Sequence, residues 1–181
     1  VVCPCCTKTL LLKYPNPRLY VVAKRESDQH VTEYTWLHGI KTDVIPHYYS
    51  VWQCPFCLFA DFKENVEDFK RSAKNKQLID SLNGVRQSEK FNILKGLRRL
   101  SMKGHTPLGV LAMHLSAIYM ALLPNEKEAR NYQKIGRLFL RLAWLYRELM
   151  PKKQVETEKE SLPESRDRNV LAIAHSIEQC E

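Results

Sequence analysis

The hydrophobic pattern of the chain changes period near residue 60. Before that point apolar positions fall in short runs, Leu10 to Lys13, Leu19 to Lys24 and His47 to Gln53, rich in Leu, Val, Tyr and Trp and separated by Pro15-Asn16-Pro17 and by polar stretches. Runs of this length between turn-forming residues predict short strands. The segment from Glu26 to Asp43 has weak periodicity and reads as an insertion. After Ala60 the period becomes about 3.6. Asp61, with Glu64 three residues on, has the form of a capping box, and Phe62, Val66, Phe69 and Ala73 then mark one face of a helix that runs towards Leu82 and ends at Asn83-Gly84.

Further helices follow. Phe91, Leu94, Leu97 and Leu100 recur at a spacing of three, and Gly104 stops that helix. Thr106 as cap and Pro107 at the first helical position start an apolar helix to Leu123. Pro124-Asn125-Glu126-Lys127-Glu128 turns the chain into its clearest amphipathic helix, with Tyr132, Ile135, Leu138, Leu142, Leu145 and Leu149 on one face. From Pro151 to Arg168 the composition is Lys, Glu, Ser and Pro, a solvated linker or frayed helix, before a short helix at Val170 to Ile177. The predicted fold class is α+β. Residues 1–60 form a zinc-ribbon-like β module, residues 61–150 a helical domain, and residues 151–181 a charged linker and short C-terminal helix.

The chemistry of the first module lies in its cysteines. Cys3-Pro4-Cys5-Cys6 and Cys54-Pro55-Phe56-Cys57 each aim two sulfurs at one point, and two such turns face to face supply the four thiolates of a closed, structural Zn2+ site. The expected ligands are Cys3, Cys6, Cys54 and Cys57. Cys5 should point away from the metal, although a Cys3 and Cys5 pairing stays open. Four thiolates fill the coordination sphere, which favours a structural ion over a catalytic one. Six cysteines in 181 residues, four of them in paired units and Cys180 standing alone, suit a reducing compartment better than a disulfide framework. His38, His47, His105, His114 and His175 lack the i, i+4 pairing of a helical metal site. His47, on the run entering the second cysteine pair, reads as a sheet-face histidine before it reads as a ligand. There is no Gly-rich phosphate loop, nucleophile elbow or recognisable carboxylate pair, so an enzyme is not expected.

The charge widens the choice of partner. A net charge of +8 admits nucleic acid, an anionic surface or an acidic protein. Residues 62–104 carry eleven Lys or Arg against five acids, a local excess of +6, and Lys70, Arg71, Lys74, Arg98 and Arg99 are the candidate contacts to phosphate or to an acidic partner. Lysine-rich helices kept soluble by their charge are the plainer reading. The competing expectation is an unknown protein partner held by the helices, with Trp144, Tyr146 and Arg147 as contacts if they are exposed. The apolar run Leu108 to Leu123 is shorter than the roughly 20 residues of a membrane span and predicts a buried helix. No signal peptide is visible, and the start at Val1 without a methionine leaves room for a removed upstream segment. Oligomeric state is not legible.

The stretch Pro46-His47-Tyr48-Tyr49-Ser50-Val51-Trp52-Gln53-Cys54-Pro55-Phe56-Cys57-Leu58-Phe59-Ala60, preceded by Cys3-Pro4-Cys5-Cys6 and Lys24-Arg25-Glu26-Ser27-Asp28, resembles the bacterial domain-of-unknown-function family 2225. Arg141-Leu142-Ala143-Trp144-Leu145-Tyr146-Arg147-Glu148 is similar to that family's helical signature. The resemblance spans roughly residues 1–150 and implies a cytoplasmic protein with two zinc knuckles followed by tetratricopeptide-like helices, and no known reaction. This chain departs from the family in having Thr7 and Leu58 where a glycine usually follows each knuckle's second cysteine, and in having Cys5. A knuckle without that glycine must find its positive-φ residue elsewhere or close less tightly.

Overall fold

Two short hairpins precede four helices in a computed structural model that describes residues 2–12, 14–65, 73–102, 104–125 and 127–149. Strand β1 (Tyr20–Arg25) pairs antiparallel with β2 (Val31–Trp36), with Tyr20 opposite Trp36 and Val22 opposite Tyr34. Strand β3 (Val51–Gln53) pairs antiparallel with β4 (Ala60–Phe62), with Trp52 opposite Asp61. The helices are α1 (Ala73–Val85), α2 (Lys90–Ser101), α3 (Pro107–Leu122) and α4 (Tyr132–Leu149). The chain is therefore α+β, but among the described residues the strands form two separate two-stranded sheets in place of one. The expectations for Val66, Phe69 and everything beyond residue 149 lie outside the described residues.

The core is built around α3. Every residue from Gly109 to Ala121 is buried, because α2 and α4 pack against this helix and β3 and β4 close it off. A helix enclosed all round has no use for an amphipathic pattern, and the sequence shows none here. Its polar side chains are satisfied inside: His114 Nδ1 donates to the Val110 carbonyl at 2.9 Å, Ser116 Oγ to the Ala112 carbonyl at 2.8 Å, and the Tyr119 hydroxyl to the Lys90 carbonyl at 3.0 Å. Thr106 caps the helix by accepting from the Gly109 N–H at 3.2 Å. Gly109 also lets the loop before it close, since a Cβ there would lie 2.1 Å from the carbonyl oxygen of Gly104, itself at φ +73°.

The β3–β4 hairpin is tied to this core by two polar links. Gln53 donates to Ser116 Oγ at 3.0 Å and accepts from Ser101 Oγ at 2.6 Å, joining β3 to α3 and α2. Asp61 and Lys134, both buried, form an ion pair at 2.8 Å between β4 and α4. A buried carboxylate needs such a partner, because an unpaired one would carry the full desolvation penalty.

Several expectations change. Asp61 is not a helix cap: it lies in β4, with Oδ1 accepting from the Phe62 N–H at 2.7 Å, and the capping-box pattern is overridden by strand pairing and by the lysine opposite. Residues 10–12 form no strand; the neighbouring Thr9 makes an isolated bridge with Val2 instead. Pro46–Tyr49 is a 3-10 turn, not strand, so only Val51–Gln53 of the third run is extended. The segment read as an insertion contains β2, in which Thr32, Glu33 and Thr35 are exposed and Val31, Tyr34 and Trp36 only half-buried, so its apolar alternation is weak. Helix α1 runs on to Val85, past Asn83-Gly84. On α4, Ile135, Leu138 and Leu145 are buried, whereas Tyr132 and Leu149 at its ends are exposed.

Candidate functional site

Each half of the cysteine cluster is a single local turn. In the first, the Thr7 N–H donates to the Cys3 carbonyl at 3.0 Å and the Cys3 N–H to the Lys8 carbonyl at 3.0 Å. In the second, the Leu58 N–H donates to the Cys54 carbonyl at 3.0 Å and the Cys54 N–H to the Phe59 carbonyl at 2.7 Å. The two turns repeat one another bond for bond. Thr7 (φ +59°) and Leu58 (φ +64°) themselves take the left-handed conformation that a glycine would adopt freely, so both turns close with strain in place of glycine.

These turns bring the sulfurs of Cys3, Cys6, Cys54 and Cys57 within 4.8 Å of one another. Cys3 Sγ is 3.5 Å from Cys57 Sγ, and Cys6 Sγ is 3.6 Å from Cys54 Sγ. Tetrahedral coordination with metal–sulfur bonds of 2.3 Å sets sulfurs about 3.8 Å apart, so the cluster fits a four-coordinate thiophilic ion with small adjustments. Backbone N–H groups already point at the sulfurs, those of Cys6 and Cys5 at Cys3, Lys8 at Cys6 and Phe59 at Cys57, and would stabilise thiolates there. Burial pushes the Cys3 thiol up to about 11, and the Cys57 thiol is raised by its hydrogen bond to Cys5 and by burial. A bound cation would replace those protons, which would make metal uptake pH-dependent. Cys5 stands outside the four, its sulfur accepting from Arg86 Nη2 at 3.4 Å.

Among the described residues the basic candidates form no comparable site. Lys70 and Arg71 lie outside the described residues, and so does the side chain of Lys74 in α1. Arg98 and Arg99 occupy the last turn of α2, where cations suit the carbonyl end of the helix. Arg98 is half-buried and reaches Ser101 Oγ at 3.4 Å, whereas Arg99 is exposed. Trp144 and Arg147 are likewise engaged: Trp144 Nε1 donates to Asp28 at 3.0 Å, and Arg147 bridges Asp28 at 2.5 Å and Glu26 at 3.1 Å. Tyr146 is exposed.

A second cluster has no sequence signature. His30 at the head of β2, His47 in the Pro46–Tyr49 turn and Glu148 near the end of α4 place their donor atoms within 4.8 Å of one another. Burial opposes ionisation of Glu148, but the His47 and His30 imidazoles beside it hold its carboxyl down at about 2. His30 and Glu148 are 118 positions apart, so no spacing rule could join them. His47 lies on a turn and not on a sheet face. The Glu26 and Asp28 carboxylates stand behind this cluster.

Among the described residues no helix is long and apolar enough to cross a membrane. No curated protein and no solved structure matches the chain. A family model described as "Uncharacterized protein conserved in bacteria (DUF2225)" matches residues 1–164, almost the whole length, and the chain belongs to that family.

Proposed function

We propose that the protein is a non-enzymatic adaptor of the bacterial cytoplasm: a module stapled by structural zinc that presents the outer face of α4 to a partner protein. One observation carries this reading. Tyr132, Phe139 and Tyr146 are 57%, 44% and 45% exposed and recur every seven residues, so they share one face of α4. The exposed small residues Gly136 and Ala143 fall between them at alternating steps of four and three. That is the spacing of a helix-packing seam, with aromatic knobs beside shallow holes, running alongside the buried Ile135 and roughly 100° or more round the helix from Leu138 and Leu145. The fully enclosed α3 offers no such face. Exposed aromatic stripes of this kind suit an amphipathic helix of a partner.

Zinc is the ion proposed for the four cysteines, since a closed four-thiolate shell is its structural coordination and leaves no open position for substrate. The partner surface is tested by photo-crosslinking in cells with benzoylphenylalanine at position 139, and at Glu33 on β2 as control. The expected result is one discrete protein adduct at 139, absent at 33 and lost in Tyr146→Glu. No adduct at 139, or the same adduct at both positions, overturns the reading. A gain of anisotropy with generic RNA or DNA that falls steeply with salt would favour nucleic acid as the partner instead.

A further inference from the structure

We propose that His30, His47 and Glu148 form a second metal site, separate from the four cysteines, for a first-row divalent transition ion that prefers nitrogen and oxygen donors. His30 Nε2 lies 2.6 Å and His47 Nε2 2.9 Å from the same oxygen, Glu148 Oε1. Three donors on one face of an octahedral ion, each at about 2.1 Å, stand about 3.0 Å apart. The two histidine–carboxylate distances need to grow by only a few tenths of an ångström to admit one, and the two imidazole nitrogens lie within 4.8 Å of one another.

The ring nitrogens facing away from this point are already occupied. His30 Nδ1 is 3.1 Å from Glu26 Oε2, and His47 Nδ1 is 3.0 Å from the Tyr34 hydroxyl. A carboxylate can only accept, so His30 Nδ1 donates to Glu26, and in the neutral ring the Nε2 lone pair then faces a second carboxylate. Two acceptors meet there unless a metal ion or a second proton lies between them. Buried His47 Nε2, though 2.9 Å from Glu148 Oε1, makes no hydrogen bond of acceptable geometry. Carboxylate and hydroxyl partners behind metal-bound imidazoles are the usual second layer of such sites, fixing the tautomer and the ring plane. Trp144 adds to this by stacking on His30, with ring centroids 5.4 Å apart and planes at 16°.

The surroundings leave the ion accessible on one side. His30 is 4% exposed and closes the back of the cluster. His47 and Trp144, with Tyr34 and Arg141, line a cleft of about 690 Å³. Of the three ligands His47 lines that cleft, and a two-histidine, one-carboxylate set would leave the remaining positions of an octahedral ion open to water or to a small exogenous ligand reaching it past His47. The cysteine site is closed and soft; this one is open and takes harder ions. The competing arrangement puts a proton on each nitrogen of His30, bridging Glu26 and Glu148 with no metal.

The experiment uses the full chain with its cysteine site filled by one equivalent of Zn2+, titrated with Co2+. The expected result is one further equivalent with the weak visible absorption of nitrogen and oxygen ligation, and paramagnetically shifted imidazole N–H resonances. His47→Ala and Glu148→Gln should weaken that equivalent at least about 100-fold while retaining zinc and helical content, and Tyr34→Phe should weaken it about 10-fold. The wild-type titration decides the matter even where a variant fails to fold. No second equivalent, an intense sulfur-to-cobalt band showing replacement of zinc, or binding unchanged in both ligand variants overturns the proposal.

Discussion

Each sulfur of the four-cysteine cluster is aimed by the turn that carries it, whereas the donors of His30, His47 and Glu148 are aimed by three elements that meet only in the finished fold. The first cluster asks one thing of the rest of the chain, that two preformed turns be brought together. The second asks that β2, the Pro46–Tyr49 turn and the end of α4 all be in place. A staple holds a fold, and the first cluster is built as one. The second is held by the fold, with Glu26, Tyr34 and Trp144 bracing it from behind.

This difference sets the order of expected effects. The largest is at the cysteines: Cys54→Ser, or chelation of the wild type, should remove about one zinc per chain and more than about 5 kcal/mol of stability, since structural zinc supplies roughly 10–16 kcal/mol of apparent binding energy. His47→Ala should cost only about 1–2 kcal/mol, the scale of one buried polar contact. Denaturant unfolding followed by circular dichroism compares the two, and equal losses would erase the distinction. An intermediate effect belongs to His114, which lines the same cleft as His47 and is fully enclosed. Burial, partly opposed by its bond to Val110, brings its pKa down to about 4. The unfolded chain takes up a proton near pH 6.5 that the folded one refuses until about pH 4, so stability should fall by roughly 3 kcal/mol as pH drops across that window. In His114→Leu the part of the slope due to this residue should vanish, which unfolding at a series of pH values will show.

The smallest effect probes the strained turns. Thr7→Gly should stabilise by about 0.5–1 kcal/mol, because left-handed strain of roughly 1–2 kcal/mol outweighs the entropy glycine adds to the unfolded chain. Leu58→Gly should instead destabilise by about 1 kcal/mol, since Leu58 is buried and loses roughly 1.5–3 kcal/mol of transfer energy. Opposite signs at two equivalent backbone positions, read from melting temperatures with zinc in excess, would separate backbone strain from side-chain burial.

What could be read from the sequence follows the same division between local and assembled features. The cysteine turns, the Thr106 cap and the course of α2, α3 and α4 were legible because each is decided within a few residues. Strand β2 was not, because a hairpin with both faces largely in water leaves β-propensity as its sole trace. Asp61 misled because its local pattern fits a cap, while the lysine that decides its place lies 73 positions away. Thr7 and Leu58 stand where a glycine eases closure, which points to a positive-φ residue elsewhere or a looser turn, and the turns close through those very residues. His30 and Glu148 carry no local signal at all.

The ion pair of Asp61 with Lys134 also sets an order in time. At about 5–20 residues per second, the 73 residues between them take roughly 4–15 s to synthesise, so β4 leaves the ribosome well before α4 exists. During that interval Asp61 is without its lysine and stays in water, and the face of the hairpin that α4 will cover stays open. The cysteine turns are complete by then. A nascent chain can therefore close its cysteine turns first and seal its core second, with the arrival of Lys134 as the step that turns an open hairpin into a folded protein.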